Sequence, residues 1–493
     1  MFHRTPVRPV VKICVLQPDY SASRVDYRHY DPPRDLTHWL PGHTVDHVAL
    51  NKLTTYRQLK HLASQGYDVF FNLCEGYPDW DVPGVDVIDS LERLALPHTG
   101  PTSTLYDLSK SVMKYAAFTA DVRTPAHALL TTADTAGHAI AGLRYPLFVK
   151  PAHAGDSLGV DALSLVHNAA ELATKVRTTI EEYAEALVEE YIDGREFTVL
   201  VVAGPTEGEG ALALTPVEFV FPPGLHFKTY ALKTSELHPE ANVPVCDVDL
   251  AARLRDAAQR VFDALGGVGY ARLDFRLDAH DELFFLEINF SCSVFYSDGW
   301  EGSADYILKH DPLGHTGFAE RVIAEGIARH RRARRPYTMR GNAMSGYGIF
   351  ATEPIAAGAT VFRGEGRPQR IVTARHAASW NARDQLLFRR YASPLSAEVF
   401  ALWDTDPAAW APQNHSCDAN TTFVGLDVQA VRAIAVGEEL TLDYATFMNE
   451  AGEPFTCMCR SPSCRGVVSG TAGNSVTMRE SDPRYARTSA SPS

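Results

Sequence analysis

Four polar side chains that could do chemistry lie close together between Tyr270 and Phe290, in the run YARLDFRLDAHDELFFLEINF. On the first arm Ala271, Leu273, Phe275 and Leu277 share one face, and Arg272, Asp274, Arg276 and Asp278 share the other. On the second arm Phe284, Leu286, Ile288 and Phe290 are apolar, while Glu287 and Asn289 face the other way. Period two on both sides of the turn Ala279-His280-Asp281 predicts a β-hairpin. Centring the turn between His280 and Asp281 sets Leu273 opposite Ile288 and Phe275 opposite Leu286. The same register sets Asp274 opposite Glu287 and Arg272 opposite Asn289. A one-residue slip would exchange the faces of both arms, so the register is well specified. Two carboxylates side by side repel unless something neutralises them. A hard divalent cation with oxygen ligands suits them, and Asn289 adds a further oxygen. Arg272 would face negative charge developing beside that ion. An acidic surface hairpin is the other reading of the same residues.

Other residues could serve such a centre. A strand ends in Lys150, and the loop that follows carries Gly155, Ser157 and Gly159. Glycines let backbone N–H groups approach phosphate oxygens, and the lysine adds charge; an ordinary turn has the same composition. Lys110 and Lys114 sit on a predicted helix, and Lys228 and Lys233 in a polar segment. Glu189-Glu190 precedes a strand, where a solvated edge is the plainer interpretation. Far along the chain, Cys457-x-Cys459-x4-Cys464 offers three thiolates, and Cys417 can be the fourth. Four thiolates suit a closed tetrahedral Zn²⁺ site, with disulfides or free thiols as the alternatives.

The chain has 493 residues, 45% of them hydrophobic, which suffices for two to four domains with buried cores. A net charge of −14 and a pI near 5.7 argue against a dedicated nucleic-acid binder. No apolar run has transmembrane length and no secretory signal opens the chain, so no membrane association and a cytoplasmic location are expected. Eight cysteines, four of them between Cys417 and Cys464, point to metal binding in a reducing compartment.

The elements that must position these groups follow in order. Strands are predicted at Val11–Leu16, Val45–Leu50 and Tyr67–Leu73, with helices at Tyr56–Ser64 and Asp86–Leu94. That alternation predicts a small parallel α/β domain, whose loops, including Cys74-Glu75-Gly76, face a site at the strands' carboxyl ends. The second half of Ala186–Val202 is a strand, and Leu250–Leu265 and Glu320–His330 are helices. The basic run from Arg329 to Arg335 reads as cations at a helix end entering a linker, or as a nuclear or nucleic-acid signal. Beyond it, Ser345–Phe362 turns on glycines into short strands, and Thr471–Ser493 has the composition of a disordered tail.

From about Lys12 to His310 the order of FNLCEG, LPHTGPTSTLYDLSK, TPAH, PLFVKPAHAGDSLGV, LVEEYIDGREFTV, YALK, RLDFRLD and LEINFSCS resembles the ATP-grasp superfamily, and within it the D-alanine–D-alanine ligase group. The resemblance implies that Lys110 and Lys150 reach the ATP phosphates and that the loop with Gly155 and Ser157 closes over them. It places Glu189, Glu190 and Ile192 around adenine, Glu196 on the ribose and Lys233 at the terminal phosphate. It gives Mg²⁺ to Asp274, Glu287 and Asn289, and the acyl-phosphate to Arg272. The implied chemistry is attack of a carboxylate on the γ-phosphate, then of an amine on the mixed anhydride. Two regions depart from the group. The run after Glu287 is Asn289-Phe290-Ser291-Cys292-Ser293-Val294 rather than Asn-Thr-Ser-Pro-Gly-Met. The first loop, QPDYSASRVDY, lacks the glycine-rich turn and substrate-binding glutamate. Both regions handle the amino-acid substrates, so the implied activity is ATP-dependent ligation with a substrate other than D-alanine. Tyr20, Tyr27 and Tyr30 suggest a remodelled pocket.

From about Tyr337 to Gly470, Gly346-Tyr347-Gly348, Asn414-His415-Ser416-Cys417, Asp443-Tyr444 and the three later cysteines resemble, in order, the SET-domain lysine methyltransferases with a post-SET zinc segment. The resemblance implies that Gly346, Tyr347, Gly348, Asn414 and His415 hold S-adenosylmethionine and that Tyr444 stands beside the line of methyl transfer. The zinc segment, with Phe455, would complete an amine channel. Ala411-Pro412-Gln413, where many relatives carry Arg and an aromatic, is a departure on the cofactor or substrate wall.

The expected architecture is α/β plus mainly β. A parallel α/β subdomain (1–104) is followed by an ATP-grasp domain with two ATP-clamping α+β subdomains (105–330) and a linker (331–337). A SET domain (338–450), a zinc segment (451–470) and the tail (471–493) complete it. The expected function is bifunctional: amide-bond formation driven by ATP, and N-methylation by S-adenosylmethionine. The substrates would be amino acids, peptides or a protein lysine, with a homo-oligomer left open. A protein lysine methyltransferase whose ATP-grasp region only binds its target or a nucleotide is the alternative, and a non-enzymatic scaffold the third.

Overall fold

The computed structural model describes residues 10–21, 23, 31–76, 80–132, 140–153, 158–206, 208–221, 224, 227, 241–342, 346–364, 370–394, 398–402, 413–448 and 454–469. The chain divides into two units, Met1–Ala333 and Arg334–Ser493. Among the described residues no helix is long and apolar enough to cross a membrane.

The first unit opens with a parallel sheet of β1 (Lys12–Pro18), β2 (Thr44–Leu50) and β3 (Val69–Asn72), in the order β2-β1-β3. Ile13, Cys14, Val15 and Leu16 are all fully buried. A run without alternation is what a strand covered on both faces requires. Helices Thr55–Leu62 and Val85–Arg93 supply one cover, packing Leu59, Leu62, Val87 and Leu91 against Cys14, Leu16 and Phe70.

Two antiparallel sheets follow. One joins β4 (His127–Leu130), β5 (Leu147–Pro151), β6 (Leu165–Val166) and β7 (Ala186–Glu190) in the order β4-β7-β5-β6. The other joins β8 (Gly194–Val202), β9 (Leu212–Ala213), β10 (Val217–Phe219), β11 (Asn242–Pro244), β12 (Tyr270–Asp278) and β13 (Leu283–Asn289), in the order β11-β10-β8-β12-β13 with β9 on β8. Asp247 caps the helix Val248–Ala264 by accepting from Asp249 and Leu250 N–H. Leu254, Val261 and Phe262 of that helix pack on Phe197, Leu273 and Phe275.

The hairpin β12–β13 forms as the alternation predicts near its open end. Arg272 lies opposite Asn289, Leu273 opposite Ile288 and Asp274 opposite Glu287. The expected pairing of Phe275 with Leu286 is not made. A β-bulge sets Phe275 opposite Phe285 and Arg276 opposite Phe284. The cause is packing: Phe285 is fully buried with its ring 5.7 Å from that of Phe275, and its N–H donates to Arg123 O at 2.8 Å. Leu286 becomes the extra residue and turns to the opposite face, so Glu287 still meets Asp274.

The second half of Ala186–Val202 is the expected strand, β8, preceded by Glu189-Glu190; the first half is a strand as well, and the acidic pair closes it. The pair is not a solvated edge, since Glu189 is 4% exposed. The helix Gly314–Ala333 carries His330, Arg331 and Arg332 in its last turn, the position the sequence suggested for them. Arg329 is bound to this unit, with Glu325 at 3.3 Å and a bond to His98 O of 2.7 Å.

The second unit is mainly β. Strands Tyr337–Asn342 and Gly346–Ala351 form an antiparallel pair. A five-stranded sheet runs in the order Thr360–Phe362, Asp427–Ala430, Thr421–Val424, Thr441–Leu442, Asn414–His415. Ile349, Val361, Val428, Ile434 and Leu440 form its core. A three-stranded sheet (Arg370–Thr373, Ala392–Pro394, Val399–Leu402) and the pair Phe455–Thr456 and Val467–Val468 complete it.

Candidate active sites

In the first unit a cleft opens between the two antiparallel sheets. Lys110, Phe148, Lys150, Glu189, Glu190, Tyr191, Ile192, Glu196, Phe227, Asp274, Arg276, Leu286 and Glu287 line it. Eight of the sequence-predicted site residues therefore meet here. Gly155, Ser157 and Lys233 lie outside the described residues, as do Lys228, Tyr27 and Tyr30.

Two of the cations come from one helix. Ser109 caps Lys110–Thr119 by accepting from Val112 N–H, and four-residue spacing puts Lys110 and Lys114 on one buried face. Glu189 binds two lysines at once: Lys150 Nζ stands 2.6 Å from its Oε1, and Lys114 Nζ 2.7 Å from its Oε2. Burial alone would push the Glu189 carboxyl up, but the two ammonium groups outweigh it and hold the pKa at about 2. Burial also works against the Lys150 charge, yet Glu189, Glu287 and Glu196 raise its pKa above the usual range. Lys114 ends below its usual range, because burial and the repulsion of Lys150 exceed the pull of Glu189.

On the opposite wall Asp274 lies against Arg272, with Oδ1 3.4 Å from the guanidinium Nε, and Glu287 Oε2 is 3.9 Å from Lys110 Nζ. Asn289 Oδ1 accepts from Ser291 N–H at 2.9 Å. Asp274, Glu287 and Asn289 are a hard, oxygen-only donor set of the kind Mg²⁺ takes. The carboxylates lean on cations from two elements, so the charge to be neutralised is present at that place.

Arg276 was visible in the sequence on the same face as Arg272 and Asp274, and its role was not. Its Nε and Nη2 donate to Glu196 Oε2 at 3.2 and 2.9 Å, and its Nη1 to Ile192 O at 2.8 Å. Phe148, Tyr191 and Phe227 form an aromatic wall with centroids 5.1–6.4 Å apart. No motif announced it. Glu190 differs from its neighbour: its side chain turns outward to Arg144, 2.9 Å away.

At the carboxyl ends of β1 and β3, Arg34 is buried and donates to Glu75 Oε1 and Leu73 O, both at 2.8 Å, and to Val294 O at 3.2 Å. Tyr20 and Tyr296 donate to Asp31, and Ser293 to Glu75. Burial, with Asp31 adding to it against Arg34, raises the Glu75 carboxyl to about 7. The two departures noted in the sequence, the first loop and the run after Asn289, thus meet in one hydrogen-bonded network.

In the second unit the separated motifs converge. Asn414 Nδ2 donates to Tyr347 O at 2.8 Å and to Glu439 Oε1 at 2.7 Å. A Cβ at Gly348 would lie 2.2 Å from Glu439 Oε1, so a side chain there would displace the carboxylate that holds Asn414. Tyr444 N–H donates to His415 Nδ1 at 3.1 Å, which puts the ring proton on Nε2, 3.4 Å from Cys417 Sγ. The Tyr444 hydroxyl donates to Gln413 O at 2.5 Å, and Phe455 packs on both Tyr444 and His415. Arg465 donates to Asp443 and, through N and Nε at 3.4 Å, to Cys417 Sγ.

All eight cysteines are free, and the sulfurs of Cys417, Cys457, Cys459 and Cys464 lie within 4.8 Å of one another. The 3.7 Å between Cys417 and Cys457 Sγ is close to the roughly 3.8 Å that tetrahedral bonds of about 2.3 Å would set. The donors fit Zn²⁺. One zinc per chain is the expected result of native mass spectrometry. Cys417→Ser is expected to weaken binding by more than the roughly 10–100-fold that outer-shell changes cost, and full retention of zinc would refute the assignment.

The family model of the D-ala D-ala ligase C-terminus matches residues 110–293, and that of the SET domain matches residues 346–445. A D-alanine–D-alanine ligase of Bordetella petrii is 32% identical over 245 residues, covering 48% of this chain and 71% of that protein. An uncharacterized protein, y4sG, of Sinorhizobium fredii is 35% identical over 258 residues, 50% of this chain and 70% of its own length. A solved D-alanine–D-alanine ligase of Bacillus anthracis complexed with ATP aligns with 66% of this chain and 100% of its own, at a TM-score of 0.49 and 18% identity. With the Asp274–Glu287 centre in its cleft and the SET motifs gathered downstream, the chain belongs to the D-alanine–D-alanine ligase family, of ATP-grasp fold, and carries a SET domain at its C-terminus.

Proposed function

We propose that the first unit joins a carboxylic acid to an amine at the expense of ATP, and that the second transfers a methyl group from S-adenosylmethionine to an amine. The observation that carries the first half is Asp274 opposite Glu287, with Arg272 and Lys110 against them and Lys150 across the cleft. Mg²⁺, held by Asp274, Glu287 and Asn289, would offset phosphate charge. Lys110 and Lys150 bind phosphate oxygens, and the aromatic wall takes the base. The substrate carboxylate attacks the γ-phosphorus, the bond to ADP breaks, and an acyl-phosphate forms. Arg272 faces the negative charge as the amine adds, phosphate leaves and the amine gives up a proton. The Arg34–Glu75 network occupies the substrate end, and its difference from the family pattern supports acids and amines other than D-alanine. Amino acids and peptides are the substrates proposed.

For the second half, S-adenosylmethionine supplies an electrophilic methyl group. Gly346, Tyr347, Gly348, Asn414 and His415 are proposed to hold it. The Tyr444 hydroxyl gives its proton to Gln413 O, so its oxygen can accept an N–H from the amine and aim the nitrogen lone pair. Tyr444→Phe is expected to slow methyl transfer about 10²-fold with zinc content unchanged, read from radiolabelled methyl incorporation. A rate within threefold of wild type would remove Tyr444 from the mechanism.

The overall test is incubation of the full chain with ATP, Mg²⁺ and pooled amino acids or peptides, followed by phosphate release and product mass spectrometry. Methyl transfer to protein with no phosphate release from any substrate would replace this reading with a lysine methyltransferase that binds nucleotide without turnover. A cytoplasmic location is part of the proposal, in keeping with free thiols and a zinc site.

A further inference from the structure

Arg276 joins the two walls of the cleft. It stands on β12, two residues from Asp274 and directly across from Glu196 on β8. Its Nη1 reaches Ile192 O, in the short connection between β7 of one sheet and β8 of the other. Its guanidinium lies 4.9 Å over the Tyr191 ring and 5.7 Å over that of Phe221. The side chain is 4% exposed, yet it lines the cleft together with Glu196. Two of its N–H groups converge on a single carboxylate oxygen, Oε2. A guanidinium gripping one oxygen in this way anchors that oxygen at a fixed place on the cleft wall.

Building on the ATP reading of this cleft, we propose that Arg276 is a positioning residue for the nucleoside end of the nucleotide. It holds Glu196 where the carboxylate accepts hydroxyl groups of a ribose, and it makes the site reject a sugar lacking one of them. A hydroxyl bonded to a carboxylate in a water-poor site is a strong contact, and a sugar lacking that hydroxyl forfeits it. The anchoring of Ile192 by the same guanidinium sets the sheet connection at which the base enters. Arg272, two positions before Asp274, serves the phosphate end from the same face. One strand thus presents an arginine to each end of the nucleotide.

The test compares ATP with 2′-deoxy-ATP on the full chain, by calorimetric Kd and by steady-state phosphate release. Wild type is expected to favour ATP by roughly 30-fold. Arg276→Met is expected to reduce that preference to about 3-fold or less, the loss falling mainly on Kd and KM, and Arg276→Lys to restore part of it. Glu196→Gln should reproduce the effect, and the double variant should add little to either alone. Melting temperatures identify a variant that does not fold, in which case Arg276→Lys and Glu196→Gln decide. Equal weakening toward both nucleotides, with the preference intact, would show a merely structural ion pair and overturn the proposal. Nucleotide bound without phosphate release would overturn the ligase reading alone, and the Kd ratio would still judge Arg276. No nucleotide binding would overturn both.

Discussion

Asp274→Asn is expected to lower ATP-dependent phosphate release by about 10³-fold. The substitution keeps the size of the side chain and its place on β12, and takes away one of two facing negative charges. Three consequences act together. The pair loses the charge that a divalent cation and its bound phosphates require. Arg272 loses the carboxylate 3.4 Å away. It can then bind the nucleotide phosphates permanently instead of waiting for the charge of the reaction, which lowers turnover rather than affinity. The measurement is phosphate release at saturating Mg²⁺ and ATP, with unfolding followed in parallel to show that the fold persists. A folded Asp274→Asn protein that releases phosphate within threefold of wild type would mean that these carboxylates do not hold the ion.

Glu189→Ala is expected to destabilise the first unit by about 3–5 kcal/mol. One carboxylate pairs with both Lys114 and Lys150, all three being 2–7% exposed. Without it, two ammonium groups stay buried side by side. Glu189→Gln should fall between alanine and wild type, since it keeps an acceptor for one lysine. The pH dependence has a definite sign. The folded carboxyl titrates at about 2, below its ordinary value of 4.5. A depressed acid contributes stability in full above the unfolded value and loses it as pH falls toward the folded one. Wild type should therefore weaken between about pH 5 and pH 2, and Glu189→Gln should show a shallower slope over that interval. Denaturant unfolding at pH 7, 4.5 and 3 checks both statements. A variant within 1 kcal/mol of wild type at pH 7, or one with the same slope, would place the charge balance elsewhere.

Some of this was legible in the residues and some was not. The pairing of Asp274 with Glu287 followed from alternation alone, because only one register buries Leu273 and Ile288 together. The bulge at Leu286 did not follow. Phe284, Phe285 and Leu286 are all apolar, and which of them enters the core depends on the ring of Phe275 and on the carbonyl of Arg123, far away in sequence. Lys110 and Lys114 shared a helix face by spacing. That both lysine 114 and lysine 150 would close on Glu189 needed three elements in contact. The four cysteines could be grouped from spacing and compartment. Their connection through His415 and Arg465 to Tyr444 and Asp443 arises only when the short sheets assemble.

Taken by itself, the amino-acid order determined the periodic features: which strands alternate, which helix faces are apolar, which ligand types recur at fixed intervals, and which family those intervals match. These properties depend on a few neighbouring residues and on the 2.0 and 3.6 repeats of the backbone. The tertiary structure decided which charges neutralise one another, that Glu190 turns outward while Glu189 turns in, and that Arg276 spans the cleft. Those outcomes rest on burial, and burial is a property of the assembled sheets: a charge removed from water must find its partner wherever the packing leaves one.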